Sequence, residues 1–358
     1  MRSVTCLLLA ALCVLALTAG SLPAADTAMK QGTADLKSAG PLAFGPNGLM
    51  FVGDPQSAAI FAIDTGDKAS QANGPVKIAK IDERMAGLLG TTANDLAIAD
   101  MAVNPTSGNV YFSVGRGRGP QATPVILKLD RKGDLTEFSL KDVKYSKAEL
   151  PNPAEGRGRT QTITGMAYVN GKLYVAGLSN EEFASKLRVI PFPFQQVDRG
   201  TSIEIYHGNH GALETRSPVR TFTTYEVAGE AQLLAAYTCT PLVRIPTSQL
   251  KPGEKIKGTT VAELGRMNNP LDMVVYNKGG KDYLLMSNDR RGVMKIDLSK
   301  VGTQDGINAK VAAETAGLPF ETLKDLKGVV QLSQLDKTHA LILVKEGNTH
   351  NLETIDLP

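Results

Sequence analysis

The sequence predicts an all-β fold, a six-bladed β-propeller of four-stranded antiparallel blades, on three observations. A strand–turn–strand phrase recurs six times along the 358 residues. A short third strand follows each phrase, and a fourth strand often comes after it. The phrases repeat every roughly 50–65 residues, which is a typical period for propeller blades.

The first phrase shows why each one is expected to form a hairpin. Leu42, Phe44, Leu49 and Phe51 alternate with small or polar residues on either side of the turn at 45–48. Two β-runs around Gly, Pro and Asn favour a hairpin, because tight turns need residues that tolerate positive φ. The same pattern returns at 100–115, 165–177, 223–239, 271–288 and 328–348.

The strands after the hairpins complete the blades. Third strands are predicted at 60–64, 125–130, 186–194, 242–246, 293–298 and 351–357. Fourth strands are predicted at 75–81, 135–140, 201–208, 259–264 and 309–314. No strand follows the third strand of the last blade, so the N-terminal segment 32–39 is predicted to complete that blade and cover its open edge. A β-sandwich is the competing fold, but it would not need so regular a repeat.

Residues 1–24 are typical of a secretory signal peptide. Arg2 precedes an uncharged apolar run at 4–17, and the small residues Ala19, Gly20 and Ala24 follow it. The apolar run is shorter than the roughly 20 residues that span a bilayer. We therefore expect one propeller domain at 25–358, periplasmic or extracellular, with no membrane contact after cleavage. A retained N-terminal anchor is the alternative.

The net charge and the number of cysteines argue against some classes of function. The net charge of +3 becomes +2 when Arg2 is removed with the signal peptide, which argues against a nucleic-acid binder. Cys239 is then the one remaining cysteine, so no intrachain disulfide is expected. A lone cysteine in a strand is more often a small buried side chain than a nucleophile. We expect a monomer.

The repeated pattern resembles the broad group of six-bladed propellers that includes NHL-repeat, TolB-like and SMP-30-like (gluconolactonase-like) proteins. The stretches 178–194 and 233–246 are similar to those of uncharacterised secreted bacterial propellers. The resemblance implies fold and location rather than chemistry. SMP-30-like proteins hold a divalent cation with carboxylate and Asn side chains, but their Glu-Gly-Pro opening and Ser-Asp-Gly element are missing here.

Propeller geometry predicts which loops share a face. The turns between first and second strands lie on one face. The loops between second and third strands, and the links between blades, lie on the other, which we call the top face. The top face receives most of the Arg, His and Asn residues outside the strands, and loops on a rigid scaffold often carry function.

Arginine-rich loops predict an anion-binding mouth on the top face. The runs RGRG (116–119) and GRGR (156–159) are expected on adjacent loops. Arginine binds carboxylate or phosphate through two parallel hydrogen bonds. Pairing with nearby Glu and Asp residues is the alternative. The predicted ligand contacts are Arg116, Arg118, Arg157, Arg159, Arg290, His207, His210, Asn180 and Asn288.

Two sets of residues are candidates for binding a metal ion. His207 and His210, with Glu214 nearby, offer imidazole and carboxylate ligands that suit Zn²⁺. Asp100, Asp272 and Asn269 fall where first strands begin, and their oxygen ligands suit Ca²⁺. The alternative for the second set is that the side chains satisfy free backbone groups at strand ends.

The sequence thus predicts a secreted binding protein whose top face takes a small anionic molecule or a protein partner. A metal-assisted hydrolase or lactonase at the channel mouth is the main alternative, and a structural interaction module is a third. Beyond a divalent cation, Ca²⁺ or Zn²⁺, no cofactor is implied. The patterns do not decide whether the protein is an enzyme.

Overall fold

The computed structural model describes residues 29–69 and 74–358, so the predicted signal peptide lies outside the described residues. The described strands form six sheets of four to six strands, paired almost entirely antiparallel. The predicted six-bladed all-β propeller is confirmed. No helix among the described residues is long and apolar enough to cross a membrane.

The N-terminal elements build two blades and supply one strand to the last blade. We number blades in chain order by their innermost strands. The elements are β1 (Lys30–Gly32), β2 (Leu42–Phe44), β3 (Leu49–Asp54), β4 (Ala59–Asp64), β5 (Lys77–Ile78), α1 (Ile81–Leu88), β6 (Leu96–Val103), β7 (Val110–Arg116), β8 (Thr123–Leu129), β9 (Leu135–Phe138) and β10 (Val143–Glu149).

The third and fourth blades follow, each with accessory strands. They comprise β11 (Gly165–Val169), β12 (Lys172–Leu178), β13 (Ser185–Pro191), β14 (Thr201–His207), β15 (Ala212–Glu214), β16 (Val219–Val227), β17 (Glu230–Tyr237), β18 (Pro241–Pro246), β19 (Lys255–Lys257) and β20 (Thr259–Leu264). In blade 3, β14 pairs both with β15 and, in parallel, with β19.

The last two blades complete the ring. They comprise β21 (Pro270–Lys278), β22 (Lys281–Asn288), β23 (Val293–Asp297), β25 (Phe320–Leu323), β26 (Val329–Gln334), β27 (His339–Glu346) and β28 (Thr349–Asp356). Between β23 and β25 the chain returns to blade 4 as the accessory strand β24 (Thr315–Gly317), which pairs with β20. The outer strand of blade 5 is β25, which pairs with β23, so the strand predicted at 309–314 is wrong.

The last blade is closed by β5 rather than by the predicted N-terminal segment 32–39. Lys77 and Ile78 pair with Glu353 and Leu352 of β28, and the Val76 N–H donates to Thr354 Oγ1 at 2.8 Å. This segment buries Val76, Ile78 and Ile81 in the core cluster that includes Leu352. The stretch 75–81 is therefore the fourth strand of the last blade, not of the first.

The N-terminal segment instead extends blade 1. Strand β1 pairs with β10, and β10 pairs with β4 as the fourth strand of that blade. Ala34 and Leu36, just after β1, are buried against the same sheet. The prediction of the closing strand failed because the sequence of a two-residue strand does not show whether it pairs with the preceding hairpin or with a distant sheet.

The order of blades around the ring also differs from chain order. The innermost strand β2 of blade 1 contacts β6 and β11, and β6 in turn contacts β26. The ring therefore runs 1–3–4–5–6–2, with blade 1 between blades 2 and 3. The Arg-rich loops at 116–119 and 156–159, expected to be adjacent, belong to parts of the ring that blade 1 separates.

Candidate functional site in the central channel

The six innermost strands surround a channel with a volume of about 1070 Å³. In four of them the pairing skips one residue near the top end, which is a β-bulge that re-aims the strand. The skipped residues all line the channel. They are Ala99, Arg220, Leu271 and Val330.

Directly below the bulges, four neighbouring blades each present a polar side chain to the channel. We call this set the polar arc; in ring order from blade 4 to blade 2 it consists of Thr221, Asp272, Gln331 and Asp100. The other two blades present Leu42 and Gly165 at the same level. The channel is therefore polar on one side and apolar on the other.

The two aspartates of the polar arc connect neighbouring blades. Asp100 Oδ2 accepts the Leu42 N–H of blade 1 at 2.7 Å, and Asp272 Oδ2 accepts the Leu332 N–H of blade 6 at 2.7 Å. Each Oδ1 accepts the N–H of the next residue in its own strand at 2.8 Å. The carboxylates thus satisfy backbone groups at strand ends, as the alternative interpretation of the sequence held.

The same two carboxyl groups are protonated more readily than ordinary aspartates. Burial raises the pKa of Asp100 to about 6, against the opposing effect of its two backbone donors. Burial, and then the charge of Asp100, raise the pKa of Asp272 well above its usual value. Gln331 lies between them in the ring, and its buried Oε1 has no hydrogen-bond partner among the described residues.

Two cations at the top of the channel have free side chains. Arg220 and Lys345 are exposed and line the channel, and neither side chain forms a hydrogen bond or ion pair within 29–69 and 74–358. By contrast, Lys37 at the same mouth is paired with Asp35 at 2.7 Å, and His350 Nδ1 lies 3.1 Å from Asp82 Oδ2. Sequence reasoning missed Arg220 and Lys345, since each sits in an ordinary strand pattern.

The predicted arginines do not line the channel and do not converge. Arg116 donates to Leu89 O at 3.4 Å, Arg118 donates to Asn94 O at 2.8 Å, and Arg159 donates to Gln56 O at 3.0 Å. Arg157 and Arg290 are exposed, with no side-chain partner in the part of the chain that the structure describes. The arginine-rich loops therefore do not form one anion site.

The three asparagines are used locally. Asn180 Nδ2 donates to Glu155 at 3.2 Å, and the buried Asn288 Nδ2 donates to Gly292 O at 3.1 Å within its own loop. Asn269 Nδ2 donates to Asp289 at 2.7 Å, and Asn269 does not line the channel. The predicted ion site of Asp100, Asp272 and Asn269 is thus not brought together.

His207 and His210 do come together, at a distance from the channel lining. His207 ends β14, His210 lies in the turn that follows, and both Nδ1 atoms lie close to Glu214 Oε1, at 2.9 and 2.6 Å. Burial acts to raise the pKa of Glu214, but hydrogen bonds from His207, Ser217 and His210 lower it to about 2. Burial raises the pKa of Glu263, which faces His207 from β20.

Comparisons with known proteins add little to this geometry. No family model and no curated protein matches the chain. A PQQ-bound aldose sugar dehydrogenase from Streptomyces coelicolor is 12% identical, with a TM-score of 0.34 over 92% of this chain and 98% of that one. The aldose sugar dehydrogenase of Escherichia coli, in its apo form, is 10% identical, with a TM-score of 0.37 over 92% and 100%.

A solved glucose dehydrogenase gives a similar result, with 12% identity and a TM-score of 0.39 over 92% of this chain and 100% of that one. Likeness at this level carries no information on function.

Proposed function

We propose that the protein binds a small anionic molecule in the top mouth of its central channel. The observation that carries this proposal is the pair of free cations, Arg220 and Lys345, on the channel lining. Cationic side chains without partners at the rim of a concave site attract anions and raise their local concentration. The Arg220 guanidinium can also donate two parallel hydrogen bonds to one carboxylate or phosphate group.

The channel below these cations supports a ligand with an uncharged body. Its volume of about 1070 Å³ is slightly above the usual range for small-molecule sites. The polar arc offers hydrogen-bonding groups on one side, including the unpartnered Gln331 Oε1. Met166 and Phe222 contribute to the apolar lining elsewhere. A molecule with an anionic end and a hydroxylated or amide-bearing body fits this lining.

The proposal also includes the location of the protein and its oligomeric state. The signal-like pattern of residues 1–24 supports action in the periplasm or outside the cell. The low net charge of +3 supports a protein that does not bind nucleic acid. We propose that it works as a monomer, since one channel supplies all the residues named above.

Thermal shift measurements with a panel of inorganic phosphate, sugar phosphates and small dicarboxylates test the proposal. A ligand at 100 times its Kd should stabilise the fold by about 2.7 kcal/mol. For the anion that binds best, Arg220→Ala and Lys345→Ala should each weaken binding on the order of tenfold, the loss of one charge-assisted contact.

Arg290→Ala is the matched control, because Arg290 is also exposed and has no side-chain partner within 29–69 and 74–358, but does not line the channel. Equal losses in Arg220→Ala and Arg290→Ala would refute a channel site. No thermal shift with any anion would favour the structural interaction module instead.

A hydrolase acting in the channel is the second candidate, favoured by the raised pKa of Asp100 and Asp272. A carboxyl group whose pKa is raised toward neutral pH can act as a general acid. Hydrolysis of lactone or ester substrates that disappears in Asp272→Asn, but persists with chelator, would support this chemistry. The His207/His210 pair cannot assist it directly, since neither residue lines the channel.

A further inference from the structure

His207, His210 and Glu214 form a compact cluster at the boundary between blades 3 and 4. All three lie on the hairpin of β14 and β15, and one ligand atom from each lies within 4.8 Å of the others. The two imidazole rings are 3.8 Å apart between centroids. Glu263 of β20, in blade 4, faces the same rings with its Oε2 atom 3.6 Å from His207 Nε2.

One ring nitrogen of this cluster, His207 Nε2, lacks a hydrogen-bond partner among the described residues. If both Nδ1 atoms donate to Glu214 Oε1, a neutral His207 presents a bare lone pair on Nε2. That atom is buried and has no hydrogen-bond partner among the described residues. The His207 side chain is only 1% exposed and the Glu263 side chain 0%, so water does not readily supply the missing contact.

A metal ion at the Nδ1 side removes this conflict. Coordination through His207 Nδ1 places the ring proton on Nε2, where it points toward the Glu263 carboxylate. A histidine ligand backed by a carboxylate is the usual arrangement around protein-bound metals. Two hydrogen bonds fix the position of the Glu263 carboxylate. The Gly208 N–H donates to Oε1 at 2.6 Å, and Asn209 Nδ2 donates to Oε2 at 2.9 Å.

The remaining ligands are supported in the same way. Ser217 Oγ donates to Glu214 Oε2, which leaves Glu214 Oε1 directed at the two histidines. The three residues span only 207–214 of the chain. A hairpin this short fixes their relative positions before any ion arrives.

We propose that His207 Nδ1, His210 Nδ1 and Glu214 Oε1 bind a divalent transition-metal ion, with Zn²⁺ as the first choice. Two imidazoles and one carboxylate suit Zn²⁺ and its neighbours in the first transition row, and do not suit Ca²⁺ or Mg²⁺. Two ionised carboxylates, Glu214 and Glu263, would balance the charge of a divalent ion. The His210 side chain is 53% exposed, so the fourth position is open to water.

The proposal predicts a structural effect as well as binding. The ion would bind the hairpin of blade 3 directly and, through His207, the Glu263 carboxylate of blade 4. Binding to the folded state alone raises thermal stability with metal concentration.

The test uses the full mature chain purified without a histidine tag and stripped with chelator. Calorimetry with Zn²⁺ should give one equivalent per chain, and Co²⁺ should give the visible absorption of a four-coordinate site. His210→Ala and Glu214→Gln should each weaken Zn²⁺ binding at least tenfold. Both side chains are partly exposed, so both variants are expected to fold, which their circular dichroism will check.

His339→Ala is the matched control. His339 Nδ1 pairs with Asp336 at 2.9 Å on another part of the surface, so this variant should retain full Zn²⁺ binding. Three results would overturn the site: no stoichiometric uptake, equal affinity in wild type and Glu214→Gln, or loss of binding in His339→Ala. Binding and stability that do not respond to Zn²⁺ would show that the cluster is only a set of hydrogen bonds between the two histidines and the carboxylates of Glu214 and Glu263.

Discussion

The raised pKa of Asp100 predicts that the protein loses stability as the pH rises from about 4 to about 6. The group has its ordinary pKa of 3.8 in the unfolded chain and a pKa of about 6 in the folded one. Between these values the native state binds more protons, so raising the pH favours unfolding. The full effect is about 3 kcal/mol, and water in the channel reduces it toward about 2 kcal/mol.

Asp272 adds to this loss, because burial and the Asp100 charge raise its pKa too. Glu214 and Asp336 act in the opposite direction at lower pH. Hydrogen bonds lower their pKa values to about 2, despite the opposing effect of burial, so their contributions disappear as the pH falls from about 4 toward 2. The free energy of unfolding should therefore be greatest near pH 4 to 5.

Urea denaturation followed by circular dichroism at pH 4.5 and pH 7.5 measures the difference. The isosteric variant Asp100→Asn cannot titrate, so it should lose most of the difference while also becoming less stable overall. Asp35→Asn, which changes an exposed carboxylate outside the polar arc, should keep it. A wild-type protein that gains stability from pH 4.5 to 7.5, or an Asp100→Asn variant with an unchanged difference, would refute the reasoning.

Three further predictions follow from the same features. Ile78→Ala removes a buried side chain of the closing strand and should lower the free energy of unfolding by about 2–3 kcal/mol in urea titrations; a loss below about 0.5 kcal/mol would mean that β5 does not close the ring. Gln331→Met removes a buried carbonyl that has no hydrogen-bond partner among the described residues, so the free energy of unfolding should stay equal or increase while anion affinity falls; a clear loss of stability would contradict this prediction. Anion affinity should weaken from pH 5 to pH 8 as Asp100, whose pKa is about 6, loses its proton; equal affinities at the two pH values in calorimetry would mean that the anion binds elsewhere.

The hairpins and most third and fourth strands were predictable because their information is local. Alternating apolar residues around Gly and Asn identify a hairpin wherever it later sits. The closing strand was not predictable, because Lys77 and Ile78 find their partners at Leu352 and Glu353 far along the chain. The order of blades around the ring likewise depends on packing between the innermost strands, and no local sequence pattern shows it.

The candidate site was only partly predictable for the same reason. Asp100 and Asp272 were placed at the channel because they begin first strands. The arginine-rich loops were predicted from their Arg residues, yet Arg116 and Arg118 donate to carbonyl groups of nearby residues, which no sequence pattern shows. Arg220 faces the channel because a β-bulge skips it in the pairing, and a bulge leaves no signature in a single sequence.

The interleaving of the first two blades limits how this chain can be divided. The fourth strand of blade 1 is β10, which follows all of blade 2 in the chain. The fourth strand of the last blade is β5, which precedes blade 2 in the chain. A cut or a duplication at the boundary between the first two repeats would therefore leave an open sheet edge in a blade elsewhere in the ring. The segment from β2 to β10 should therefore be inherited as one unit.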